Sequence, residues 1–311
     1  MEIFDIFKKK NEKDNSAAEV ENSFTENSSA VQSESGINEV QILNKIFQEV
    51  YDETSVPTVK MNLTDTNPAV FESKVGGTGY IPHDGNFPTD SKGNQLRFLA
   101  QIECEKVNIP EYPKSGLLQF WIMNDDLYGA DFDNNTRQDS FRIIYYKDID
   151  KSVAEEEIAS KFVENEFDKT ESLMPVTGTF GISFTECMTG ISDCDYRAED
   201  MICKKYNEVA PEKHLESIYD IECDFNEAEC YKKTIGDSFG NKIGGYPAFT
   251  QYDPRDEGDT HDFLLLQLDS AYIDDKIEMM WGDSGVCNFF INKEKLKNLD
   301  FSDVIYNWDC Y

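Results

Sequence analysis

Positive charge is in short supply in this 311-residue chain, which has 29 Lys and Arg against 61 Asp and Glu and a formal net charge of −32. A reader of a nucleic-acid backbone needs a basic face to displace counterions, so that class is excluded. Histidine is equally sparse. His83, His214 and His261 are scattered, and none sits in a context that nominates a general base. The eight cysteines include no Cys-x-x-Cys pair and no other usual zinc spacing, so no zinc site is signalled. Cys223 and Cys230 are seven apart and share a helix face in the manner of core residues. No run of 18 apolar residues is present, and the opening residues lack the apolar stretch and small-residue cleavage site of a secretory leader. The expected compartment is the reducing cytoplasm, with free thiols.

What is present is core material. At 39% hydrophobic and 13% aromatic residues, the chain is too rich in large apolar side chains to be a disordered acidic protein. Residues 11 to 36 are Ser, Asn and Glu rich with almost no aliphatic content, the composition of a linker. Residues 1 to 36 therefore read as a disordered tail and linker, and residues 37 to 311 as a single domain. Within the tail, Ile3, Phe4, Ile6 and Phe7 precede Lys8, Lys9 and Lys10. That order suits brief contact of residues 3 to 10 with a membrane surface or a partner, although so few residues do not hold a helix in water. The tail carries −4, so −28 remains on residues 37 to 311. The acidity belongs to the folded body.

The body opens on a helix, because Ile37, Val40, Leu43, Phe47 and Val50 recur at steps of three and four, with Asn38 and Gln41 at capping spacing. Strands follow at 56 to 63, 96 to 104, 116 to 123, 141 to 149, 178 to 184, 262 to 269 and 285 to 291. Each is short, β-branched or aromatic, and bounded by Gly, Pro, Asn or Asp. A capping box of Ser152 and Glu155 predicts a helix there, and further helices are expected at 198 to 207, 212 to 222 and 293 to 298.

The chain also echoes itself. Lys74-Val75-Gly76-Gly77, then Tyr80 and Pro82, RFLAQIEC and Ser115-Gly116-LLQFWI, is followed later by Lys242-Ile243-Gly244-Gly245, Tyr246 and Pro247, FLLLQLDS and Ser284-Gly285-VCNFFI. Two copies of one unit, about 74 to 122 and 242 to 291, are expected to pack together. The fold class that results is α+β, mainly antiparallel β, with two pseudo-repeated halves and peripheral helices.

These same runs, with NDDLYGADFD, FRIIYYKDID, MMWGDSG and a closing WDCY, resemble the YwqG-like family of bacterial proteins. The resemblance covers about residues 37 to 311, with little to match between about 185 and 235. It implies a cytoplasmic α+β domain with no established activity and no assigned catalytic residues. Some relatives are suspected of being immunity or toxin-neutralising proteins.

Four candidate sites arise from the residues themselves. Asn124, Asp125, Asp126, Tyr128, Asp131, Asp133, Asn135 and Arg137 form the densest polar cluster. Asp131, Asp133 and Asn135 copy the start of an EF-hand loop, but Thr136 stands where glycine is needed and Arg142 where the bidentate glutamate belongs, which excludes that motif. Gly282-Asp283-Ser284-Gly285 resembles a protease nucleophile signature, but Val286 replaces a glycine and a duplicated turn explains it without chemistry. The glycine pairs lack the Walker lysine and read as backbone bends rather than a phosphate cradle. Gln101 and Gln267 each interrupt an apolar strand. They are expected either to bond main chain across the interface between the halves or to line a shared cleft with Trp121, Trp281, Tyr128 and Asp283.

The functional expectation is a non-enzymatic acidic module for a basic protein partner, with no cofactor, no metal and no nucleic acid. The alternative is a hydrolase or small-molecule binder that uses Asp125, Asp131 and Asp283 in a carboxylate-lined cleft between the halves.

Overall fold

A computed structural model describes residues 39–169, 173–221, 227–234, 238–273 and 276–311. The tail, Ile37, Asn38 and Cys223 lie outside the described residues. Helix α1 (Glu39–Thr54) buries Ile42, Leu43, Ile46, Phe47 and Val50 along one stripe, as its spacing predicts. Its last turn is closed by Thr54, whose hydroxyl donates to the Val50 carbonyl and accepts from the Ile191 amide.

A ten-stranded sheet holds the rest. The strands are β1 (Val56–Thr64), β2 (Lys74–Gly76), β3 (Arg97–Glu103), β4 (Leu117–Ile122), β5 (Phe141–Tyr146), β6 (Thr179–Thr189), β7 (Lys242–Gly244) and β8 (Phe263–Asp269). Two more, β11 (Val286–Ile291) and β12 (Val304–Asp309), come after a separate two-stranded hairpin of β9 (Ala271–Ile273) and β10 (Lys276–Met279). The order across the large sheet is β12-β11-β8-β7-β1-β6-β2-β3-β4-β5, and each pairing is antiparallel. The centre is the long β1–β6 pair, in register from Val56↔Thr189 to Thr64↔Gly181. The sheet curls nearly into a barrel, so that its two ends meet: the Phe120 and Phe289 rings lie 5.0 Å apart and Phe141 and Tyr306 5.1 Å, with Phe289 stacked at 4.6 Å on Tyr306 of the neighbouring strand. These rings belong to one core that also takes Val59, Val75, Leu99, Ile102, Leu265 and Leu268. Strands covered on both faces read as unbroken apolar runs rather than alternating ones, which is why β3, β4, β8 and β11 stand out in the sequence.

Several boundaries differ from expectation. β6 runs to Thr189, five residues beyond the predicted end, because pairing with β1 carries an exposed, alternating segment that has little apolar content of its own. The helix expected at 212 to 222 is two short 3₁₀ turns, Pro211–Lys213 and Ile218–Asp220, the second closed by a Ser217–Asp220 capping box. Ser152 does not cap α2 (Glu155–Ser160). Ala154 holds that place, and the Ser152 hydroxyl donates to Asp150. Helices α3 (Ala198–Val209), α4 (Glu229–Thr234) and α5 (Lys293–Lys297) complete the set.

Candidate functional site

Gln101 and Gln267 are fully buried, and each is satisfied by the main chain of its own neighbourhood. Gln101 donates to the Val70 and Glu72 carbonyls and accepts from the Tyr80 amide. Gln267 donates to the Ser238 and Gly240 carbonyls and accepts from the Ala248 amide. Neither bonds across the middle of the sheet, and the two do not share a cleft. The cause is a register shift in each strand: Leu99 is extra between Phe98 and Ala100, and Leu265 is extra in the β8–β11 ladder. An extra residue reverses the facing of every residue after it in the strand. Leu99, Ala100, Leu265 and Leu266 therefore enter the central core together, and each glutamine turns away from it. Trp121 belongs with Gln101, because its indole N–H donates to Gln119 and Gln119 donates to Gln101.

The remaining candidates come together elsewhere. The loop after β4 lies along β12, with Asn135 accepting from the Tyr306 amide, Tyr128 accepting from the Tyr306 hydroxyl and Leu127 accepting from the Trp308 indole. Tyr128 packs between two tryptophans, edge-on to Trp281 at 5.5 Å and tilted on Trp308 at 4.8 Å. The Gly282 amide donates to the Tyr128 hydroxyl, and the Asp283 carbonyl accepts from the Tyr311 amide. Tyr128 thus meets Trp281 and the turn that carries Asp283, while Asp125, Asp126, Asp131 and Arg137 lie in the same loop as Tyr128, with Arg137 paired to Asp131 and Asp139. Asp125 and Asp131 spend an oxygen each on loop amides, Leu127 and Gly129 for the first, Asp133 and Asn134 for the second. Among the described residues no group of three or more His, Cys, Asp or Glu is placed to hold a metal ion.

Two non-glycine residues here hold left-handed backbone, Tyr128 at φ +52° and Ser284 at φ +57°. That conformation costs a non-glycine residue of order 1 kcal/mol or more and persists only where the surroundings impose it. The Ser284 amide and hydroxyl both point at the Met280 sulfur. His83 is engaged with Glu157 and Ser152, and His261 with Asp259 and Asp303. The adjacent glycine is needed for space, since a Cβ on Gly285 would sit 1.9 Å from the Asp309 carbonyl.

The apolar part of this face is absent from the candidates that the sequence offers. Leu127 is 45% exposed and Phe132 55% exposed, with Trp308 against Phe132 at 6.2 Å. The signal for it is a leucine and a phenylalanine inside an otherwise acidic, turn-forming loop, where burial gives no reason for them.

A second polar constellation lies in the other direction. Arg97 donates to both oxygens of Asp168, to the Gln95, Leu96 and Val163 carbonyls, and lies over the Phe162 ring at 4.4 Å. Burial pushes the Asp168 carboxyl up, but the Arg97 and Asn165 hydrogen bonds outweigh it and hold the group below its ordinary range. Beside Arg97, a cavity of about 570 Å³ opens next to Gly77, Thr78 and Gly79.

Residues 73–310 match a protein family described as a domain of unknown function, DUF1963. No curated protein matches the chain.

Proposed function

The chain belongs to this family of domains of unknown function, and on that premise we propose that it is a non-enzymatic, cytoplasmic recognition module of the YwqG-like kind that binds a basic protein partner. The binding face is the one built from the loop after β4, the 281–284 turn and the end of β12. The observation that carries the reading is the pairing of exposed Leu127 and Phe132 with an aromatic base of Tyr128, Trp281 and Trp308, in a loop that also carries Asp125, Asp126, Asp131 and Asp133 and meets the turn of Asp283. Binding energy at protein interfaces concentrates in a few packed aromatic and apolar anchors. Acidic groups around them accelerate and select a basic partner. The −28 carried by residues 37 to 311 extends that field well beyond the patch.

The two-halved organisation fits the same reading. We infer a duplicated unit from the matched glycine pairs, glutamines and register shifts of β2–β3 and β7–β8. In such a scaffold the loop after β4 is an addition on one half that meets the closing strand of the other. Among the described residues no helix is long and apolar enough to cross a membrane.

The test is affinity capture from the source lysate at low and high salt, run in parallel with the wild-type chain and with Leu127→Asp/Phe132→Asp. A basic protein recovered near stoichiometry by the wild type, released at high salt and missed by the variant supports the reading. Equal recovery by both forms sinks it, and turnover of a small molecule that collapses on substitution of Asp125, Asp131 or Asp283 would favour a hydrolase instead.

A further inference from the structure

The 570 Å³ cavity has a counterpart in the chain that is already filled. Gly76 pairs with Thr179, and Gly244 pairs with Thr58. The glycine pairs adopt the same left-handed backbone, φ +69° and +72° at Gly76 and Gly77, and +71° and +69° at Gly244 and Gly245. A Cβ on Gly77 would lie 2.2 Å from the Thr179 hydroxyl, and one on Gly245 would lie 2.4 Å from the Thr58 hydroxyl. Three residues beyond each pair, the amide of Tyr80 or Ala248 donates to the buried glutamine. Thr78 and Gly79 therefore occupy the positions that Tyr246 and Pro247 occupy at the second place.

There the two places diverge. Tyr246 fills its own with a phenol ring, whose hydroxyl donates to the Thr54 carbonyl at 2.8 Å and whose face meets the Arg197 guanidinium at 5.5 Å. Only about 110 Å³ remains open. At the first place Thr78 and Gly79 contribute no ring, and the space stays open between Phe87, Phe98, Phe162, Met174 and Val176. The polar groups on its wall are the threonines 78, 177 and 179 and nearby main chain. Arg97 lines it as well, but its donors are taken by Asp168 and three carbonyls, so its charge is matched and does not call for an anion.

We propose that this cavity binds an uncharged, planar hydroxyaromatic molecule whose ring stands where the Tyr246 ring stands at the matching place. Apolar walls with a few polar groups, in a volume of about 300 to 1,000 Å³, are the usual form of a small-molecule site. A single phenol would leave most of the volume empty, so the ligand is of two fused rings or more. The flat faces of Phe87, Phe98 and Phe162 favour an aromatic body through edge and face contacts, and the threonine hydroxyls accept and return the ligand's hydroxyl hydrogen bond.

The experiment is calorimetric titration of the full chain with 2-naphthol, beside naphthalene and 2-naphthoate. Tryptophan emission is recorded in parallel, because Trp121 lies edge-on to Phe87 at 5.6 Å and to Phe98 at 5.3 Å and reports on the cavity. Saturable binding of one 2-naphthol per chain with quenching is expected, with naphthalene several-fold weaker and 2-naphthoate at least tenfold weaker. Thr78→Tyr copies the filled place and should weaken 2-naphthol at least tenfold with an unchanged unfolding midpoint. Should that variant not fold, Ala159→Phe on α2, which also lines the cavity, serves the same purpose. Absence of saturable binding, wild-type affinity in the folded filling variant, or preference for 2-naphthoate overturns the proposal.

Discussion

Gln101 and Gln267 make the same three main-chain hydrogen bonds, each on the third strand from its own end of the sheet. Each ties a strand to the chain that leads into a glycine pair and to the chain that leads out of it. A glutamine is the side chain for this work because one amide supplies two donors and an acceptor at full reach.

Replacing Gln101 with leucine strands the buried Tyr80 amide and Val70 carbonyl, whereas replacing Gln267 strands the buried Ala248 amide but leaves the Ser238 carbonyl its bond from Lys242. With about 1 to 3 kcal/mol for a stranded buried group, Gln101→Leu should lose several kcal/mol in urea unfolding and Gln267→Leu about 1 to 3 kcal/mol. Gln101→Leu should be the worse, because Gln119 also donates to it. A loss under about 1 kcal/mol in both would show that the bonds are incidental.

Asp168 is held below its ordinary range in the folded chain, so it binds a proton less readily folded than unfolded. Its contribution is therefore present above the unfolded carboxylate value of about 3.9 and is lost as pH falls through the folded value. Asp168→Asn should cost more stability at pH 7 than at pH 3. Unfolding curves at both values check this, and an equal cost at the two would contradict it.

Leu127 and Phe132 are exposed and contribute little to the core. Leu127→Asp and Phe132→Asp should change stability by no more than about 0.5 kcal/mol, whereas Trp308→Ala, which removes the ring beneath Tyr128 and Phe132, should lower the melting temperature by several degrees. Thermal unfolding of the three variants distinguishes a binding face from a structural one.

Gly77 and Gly93 both hold left-handed backbone, but a Cβ at Gly77 meets the Thr179 hydroxyl while at Gly93 nothing lies within 4 Å. Gly93→Ala should cost about 1 kcal/mol, the backbone strain alone. Gly77→Ala adds a steric clash and should cost clearly more in the same denaturation assay.

Burial pushes the thiols of Cys104 and Cys194 up to about 12 and that of Cys287 well above its ordinary value. Alkylation needs the thiolate. With iodoacetamide at pH 8, peptide mass spectrometry should find half-buried Cys310 modified well before Cys104 or Cys287. Equal rates would mean that the core opens readily.

The strands were legible because β3, β4, β8 and β11 are buried on both faces, and burial on both faces leaves a continuous apolar signature. β12 is not among the strands expected from the sequence, since Asn307, Trp308 and Asp309 interrupt its apolar run and Trp308 is used by the loop after β4. The 3₁₀ turns between 211 and 220 carry a helical pattern too short to propagate, and tertiary neighbours decided their form.

By itself, then, the sequence determined the α+β class, the mainly antiparallel sheet, the acidity of the body and the glycine pairs, because these depend on local spacing and composition. Tertiary structure alone decided which candidates meet. A one-residue register shift in β3 and in β8 turned the two glutamines away from the central core, and the curl of the sheet laid the loop after β4 along β12. Neither effect has a local signature, because each depends on where a distant strand comes to rest.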